Sequence, residues 1–254
     1  MKKIIYTSMC VLLMGTWIFV RTTKGKAESE NAEPENKEVV LFDGSTFKGW
    51  RGYNRADMPK AWTIENHSLK INSKESDEDS EVWRQDRGDI IFNQKFEDFE
   101  LSFEWKVSNG SKSGVYYMVQ EYGGNEGSNI FAPKYEITDD ALGAQNENYF
   151  SASIYDIVPS AGSNSKPCGE WNESKIIVKG GEVRHIQNGK ALLDFDLTSG
   201  NWAKKLQSSD WAKKLETEQY SIILECGEKL EPGYIALQDK GKDVWYRNIK
   251  IKEI

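Results

Sequence analysis

The stretch Lys166–Phe195, KPCGEWNESKIIVKGGEVRHIQNGKALLDF, decides the fold. Ser174–Lys179 alternates polar and β-branched residues, Gly180-Gly181 supplies the positive φ angles of a short loop, and Glu182–Gln187 runs back. Asn188-Gly189 is the strongest two-residue hairpin signal, because a type I′ turn needs φ > 0 at both central positions. Leu192–Phe195 then completes an antiparallel meander.

Outward from the meander, the clearest strand is Phe99–Val107. Phe99, Leu101, Phe103, Trp105 and Val107 fall on one face, and Glu100, Ser102, Glu104 and Lys106 on the other. Further strands are expected at Val39–Phe42, at Gly114–Glu121, at Lys134–Thr138, at Gly233–Gln238 and at Val244–Ile251. Ala61–Ile71 reads as strand–turn–strand about Asn66-His67. In Asn201–Glu216 the word WAKKL occurs twice, pairing Trp202 with Leu206 and Trp211 with Leu215 at helical spacing. Two short helices broken at Ser208-Ser209-Asp210 are therefore expected there. Many hairpin-spaced strands with one helical interlude predict a β-sandwich rather than an α/β sheet.

The first 27 residues stand apart. Lys2-Lys3 precede an apolar run over Ile4–Val20, and Gly25-Lys26-Ala27 has the small-x-small form of a cleavage site. This is read as a signal peptide cleaved after Ala27, with an uncleaved anchor as the alternative; residues 28–38 form a polar linker, and 39–254 the folded domain. The leader carries Lys2, Lys3, Arg21, Lys24 and Lys26 and no carboxylate, so its removal takes the formal charge from −7 to −12. An acidic exported chain, periplasmic or extracellular, argues against nucleic acid and anionic membrane surfaces as partners and suits neutral ligands. Cys168 and Cys226 remain, and the sequence leaves open whether they pair. Ser73–Arg87 reads as a solvated acidic loop or a lid.

No P-loop, dinucleotide fingerprint, C-x-x-C pair, H-E-x-x-H or G-x-S-x-G motif occurs. His67 and His185 are the only histidines, which excludes a histidine-rich zinc site. Carboxylates are the better candidates. On Lys134–Asp140, Lys134, Glu136, Thr138 and Asp140 share one strand face. Glu136 and Asp140 would stand about 13 Å apart along an extended strand. A retaining glycosidase pair needs roughly 5–5.5 Å, so a plain retaining glucanase is disfavoured. His185 and Gln187 share a face and read equally as sugar contacts or as core polar groups. Arg247 reads as a substrate contact or as the partner of a carboxylate. Trp50, Tyr53, Tyr116 and Tyr117 either stack on sugar rings or fill the core.

Several segments resemble one family. LFDGSTFKGWRGY at 41–53, Gly88–Phe96, PKYEITDD at 133–140, the SASIYD segment of Ser151–Asp156, GEWN at 169–172, the V-x-H-x-x-N-G hairpin at 183–189 and ALQDKGKDVWYRNIKI at 236–251 are similar to the DUF1080 family, the 3-keto-disaccharide hydrolase-like domain. The resemblance spans roughly Val39–Ile254. It implies an all-β, concanavalin A-like β-sandwich (jelly roll) of antiparallel strands, here with a short helical insertion near 201–216.

The resemblance also implies an extracytoplasmic enzyme cleaving 3-keto-glycosides by C2 deprotonation and elimination. Such chemistry needs a base, an acid, and a donor or divalent cation for the enolate oxygen; the sequence itself assigns no cofactor. Matching positions propose Glu136, Asp139 and His185 as catalytic, and Glu121, Gln187, Gln238, Asp239 and Arg247 as substrate-binding. Two departures cut against this. Lys134 stands where the family has a glutamate, and Lys240 and Lys242 replace a histidine and a carboxylate in the last turn. A non-catalytic, lectin-like carbohydrate-binding protein on the same scaffold is therefore the alternative.

Overall fold

A computed structural model describes residues 38–72, 87–122, 129–143 and 149–254. The expected leader, the linker up to residue 37, the acidic loop at 73–86 and the glycine-rich 123–128 lie outside the described residues.

Two antiparallel sheets pack face to face. The larger runs in the order β11 (Lys190–Asp196), β10 (Glu182–Gln187), β9 (Asn172–Lys179), β6 (Phe99–Val107), β13 (Val244–Glu253), β4 (Ser68–Ile71) and β3 (Trp62–Glu65), with β1 (Glu38–Val40) paired to β13. The smaller runs β2 (Trp50–Gly52), β5 (Ile90–Phe96), β12 (Gly233–Leu237), β7 (Lys112–Val119) and β8 (Lys134–Thr138).

The meander forms as its turns dictate. His185 pairs with Ile176 across the β9–β10 loop, and Gly180, Gly181, Asn188 and Gly189 all hold positive φ. Asn66 and His67 do the same between β3 and β4. In β6 burial alternates residue by residue along all nine positions, so its apolar face meets the smaller sheet. Between the sheets, Phe103 meets the Tyr135 ring edge-on at 5.5 Å, and Tyr117 meets His185 edge-on at 5.7 Å. Trp50, Tyr53, Tyr116 and Tyr117 are all buried. Of the four, Trp50 and Tyr117 point between the sheets, whereas Tyr53 and Tyr116 join Ile91, Val119, Ile130, Ala132 and Ala236 in a second apolar cluster on the opposite, outer face of the smaller sheet.

The helical insertion is longer than 201–216. After the short α1 (Asp140–Gly143), α2 (Gly200–Ser208) buries Trp202 and Leu206, as the first WAKKL repeat predicts. The second repeat makes only a 3-10 turn over Ala212–Lys214, because Asp156 captures Ser209 Oγ and the Trp211 N–H. A further helix, α3 (Thr217–Lys229), follows, its start closed by a reciprocal capping box between Glu216 and Gln219. Gly227 lets α3 dock closely: a Cβ there would lie 2.2 Å from the Leu197 carbonyl oxygen. Cys168 and Cys226 are both free thiols.

Candidate active site

Strand β8 is buried along all five residues. Tyr135 and Ile137 point between the sheets, so the alternate residues Lys134, Glu136 and Thr138 lie on the outer face of the smaller sheet. Lys134 Nζ stands 2.7 Å from Glu136 Oε2 and donates to Gln238 Oε1 at 3.0 Å. The Gln238 amide in turn donates to the Tyr116 hydroxyl. The ammonium also lies over the Tyr155 ring at 4.1 Å and the Tyr116 ring at 5.7 Å. Space for the lysine stem comes from Gly114 on β7, where a Cβ would fall 2.5 Å from Lys134 Cδ.

Asp89 enters the same face from the residue before β5, in step with the outward-facing Ile91. Its Oδ1 accepts the Asp239 N–H at 2.8 Å. That N–H is aimed by the Asp239 carboxylate, which is paired with Arg87 and accepts the Gly88 and Gly241 N–H groups.

Electrostatics separates these groups. The Asp89 residue keeps some exposure, but its carboxyl is enclosed, and burial pushes it up to about 7 against the opposing pull of the Asp239 N–H, Lys240 and Lys134. Glu136 is likewise raised by burial, partly offset by Lys134. Burial pulls Lys134 down, opposed by Glu136. Glu136 Oε2 and Thr138 Oγ1 are buried without an aligned hydrogen-bond partner, so Oε2 is held by ion pairing alone.

The structure thus brings together Glu136, Gln238, Asp239 and Tyr116 of the residues singled out from sequence, and adds Lys134, Asp89 and Tyr155. The remaining expected residues lie elsewhere. His185 is fully buried between the sheets, its Nδ1 2.8 Å from the Ala152 carbonyl and its Nε2 3.2 Å from the Tyr117 hydroxyl. Burial depresses it to about 4, opposed by the Ala152 contact. Gln187 shares that interior, accepting from the Tyr135 hydroxyl at 2.8 Å and donating to Ser165 at 3.0 Å. Asp139 accepts the Gly110 and Ala141 N–H groups at the start of α1. Asp140 accepts from Ser151, Ser163 and Ser165. Glu121 lies further along the outer face, in a two-point pair with Arg51 at 2.5 and 2.7 Å. Arg247 sits on the outer face of the larger sheet, paired with Glu104 at 2.6 Å and 4.0 Å above the Trp171 ring.

Asp89 was the residue missed. Its signal was Gly88-Asp89-Ile90, already a segment of family resemblance, but an isolated Asp before an apolar strand carries no mark of the cluster that folding builds around it. A divalent cation fits this cluster poorly. Among the described residues no three His, Cys, Asp or Glu side chains gather to hold one, and Glu136 is already paired with the Lys134 ammonium.

The 3-keto-alpha-glucoside-1,2-lyase-like domain matches residues 37–252. The chain belongs to this family. A relative, the 3-keto-disaccharide hydrolase of Bacteroides thetaiotaomicron, is 36% identical over an alignment of 290 positions covering 99% of each chain. A Parabacteroides distasonis protein of known structure, provisionally described as a glycosyl hydrolase, is 26% identical with a TM-score of 0.68, covering 85% of this chain and 94% of its own. A second protein of that organism with the same provisional description, 22% identical with a TM-score of 0.59, shares the fold over 86% of this chain and all of its own. The 3-keto-alpha-glucoside-1,2-lyase-like chain is thus a carbohydrate-active β-sandwich protein of hydrolase or lyase type.

Proposed function

We propose that the protein is exported and cleaves 3-keto-glycosides by elimination. The observation that carries this reading is the enclosed Asp89 carboxyl, held by the Asp239 N–H on the same outer face of the smaller sheet as the Lys134–Glu136 ion pair. A 3-keto group acidifies the C2 proton, so the difficult step is proton abstraction rather than oxocarbenium formation. A base works best when its proton affinity matches the operating pH, and Asp89 at about 7 meets that condition. Asp89 takes the C2 proton and then returns a proton to the departing C1 oxygen, while Glu136 stays ionised against Lys134. Water then adds back across the new C1–C2 double bond, for a net hydrolysis. Gln238 and the Tyr155 ring lie beside these groups to orient the sugar.

The test offers matched oxidised and unoxidised glycosides to wild type, Asp89→Asn and Glu136→Gln. Release of aglycone from the oxidised substrate alone is the expected result. Equal cleavage of both would mean a different mechanism, and binding without release from either would favour the lectin-like reading, with Lys240 and Lys242 as its basis. N-terminal sequencing of the native protein tests export, with Glu28 expected as the first residue.

A further inference from the structure

Removing a proton beside a ketone throws negative charge onto the carbonyl oxygen, and that charge needs a cation or an aligned donor at hand. The outer face of β8 already contains one. The Lys134 side chain is 6% exposed and its ammonium is fixed from four directions: by Glu136, by Gln238 and by the rings of Tyr116 and Tyr155. Gly114 clears its path, since any side chain there would strike the lysine stem. An apolar pair of similar volume would pack the site without the cost of burying two charges. A divalent ion placed among the same carboxylates would be repelled by the ammonium at short range.

We propose that Lys134 is the resident cation of the site, standing where a Lewis-acid metal would otherwise be required and stabilising the enolate oxygen at C3 of a keto sugar. The inference rests on the elimination reading above. In the first step the C2–H bond breaks, the proton goes to the base, its electron pair forms the C2–C3 double bond, and the carbonyl π pair moves to the C3 oxygen facing the Lys134 N–H groups. In the second, that pair re-forms the ketone, the C1–C2 double bond appears, and the C1–O bond breaks to the aglycone, which takes a proton. No oxidant, reductant or metal enters the balance.

Two measurements test it. The purified protein is analysed for metal and titrated calorimetrically with Mn²⁺, Mg²⁺ and Ca²⁺, as wild type and as Glu136→Gln. No stoichiometric ion and no saturable binding are expected; one ion per chain, lost in Glu136→Gln, would overturn the proposal. Turnover of a 3-keto-glycoside is then followed with and without chelator for wild type, Lys134→Met and Lys134→Arg. Chelator is expected to change nothing, whereas Lys134→Met lowers kcat by on the order of 10²-fold with little change in KM, and Lys134→Arg recovers part of it. A chelator-sensitive wild type, or undiminished kcat in a folded Lys134→Met, overturns it. Lys134→Gln, uncharged but still a donor, is a second variant that leaves Glu136 in place, with the folding of each variant checked by urea unfolding; it too must be slow. A wild type inert towards every 3-keto-glycoside defeats the elimination reading and the enolate role with it, and the metal titration still decides whether lysine or a metal ion is the resident cation.

Discussion

Lys134 and Glu136 occupy alternate positions of one strand, yet their charged ends meet at 2.7 Å with side chains 6% and 2% exposed. Residues so placed start about 7 Å apart along an extended strand, so the lysine lies along β8 instead of rising to solvent. The relationship makes each charge depend on the other. Breaking a buried pair from one side leaves an uncompensated charge, whereas removing both is often close to neutral.

Glu136→Gln is accordingly expected to destabilise the fold by about 3 kcal/mol, and Lys134→Met/Glu136→Gln to recover most of that loss. Urea unfolding of the single variants and the double variant closes the cycle. Additive losses would mean that the two side chains are not coupled.

Asp89 should govern the pH profile. With its carboxyl raised to about 7, the base form accumulates as pH rises through that value, so kcat/KM climbs to a plateau above it. Asp89→Asn is expected to remove this limb and lower turnover by about 10²-fold or more. A profile that keeps its limb in Asp89→Asn would place the base elsewhere.

His185 should shape stability instead. Its folded-state value is depressed to about 4, below its unfolded value, so between about 6.5 and 4 the unfolded chain binds a proton that the native state refuses. Stability therefore falls as pH drops through that window, by on the order of 3 kcal/mol. His185→Gln is expected to flatten the slope of stability against pH there, read from urea midpoints across the range.

Arg247 tests which face is used. It is tied to Glu104 on the larger sheet, away from the Lys134 cluster, and its ion pair is partly exposed. Arg247→Ala should leave turnover within about twofold and cost up to about 1 kcal/mol of stability. A large loss of kcat/KM would bring the larger sheet's outer face into the reaction.

Much of this was legible because the signals are local. The β6 alternation and the Gly180-Gly181 and Asn188-Gly189 turns each fix their own backbone, and the three-strand register follows. What the sequence could not disclose was which of a strand's two faces would be dry. The parity shared by Val183, His185 and Gln187 was correct, but only the packing of Tyr117 and Tyr135 against His185 makes that face the interior. Asp89 carries no such mark for the same reason, since the N–H that holds its carboxyl belongs to Asp239, far away in the chain. Helix α3 is hidden because the apolar run Ile222–Leu224, with Tyr220 just before it, obscures the 3.6-residue period.

Strand β8 ends the smaller sheet, and a terminal strand of that kind normally offers its free N–H and C=O groups to any other chain. Here the segment 152–155 takes them up: Glu136 donates to Ser153, Ala152 donates back to Glu136, and Tyr155 donates to Lys134. The strand that carries the candidate chemistry is thereby closed to recruitment into another molecule's sheet. Crowding at high concentration should find its way to aggregates, if at all, through other margins of the sandwich, leaving the reactive strand intact.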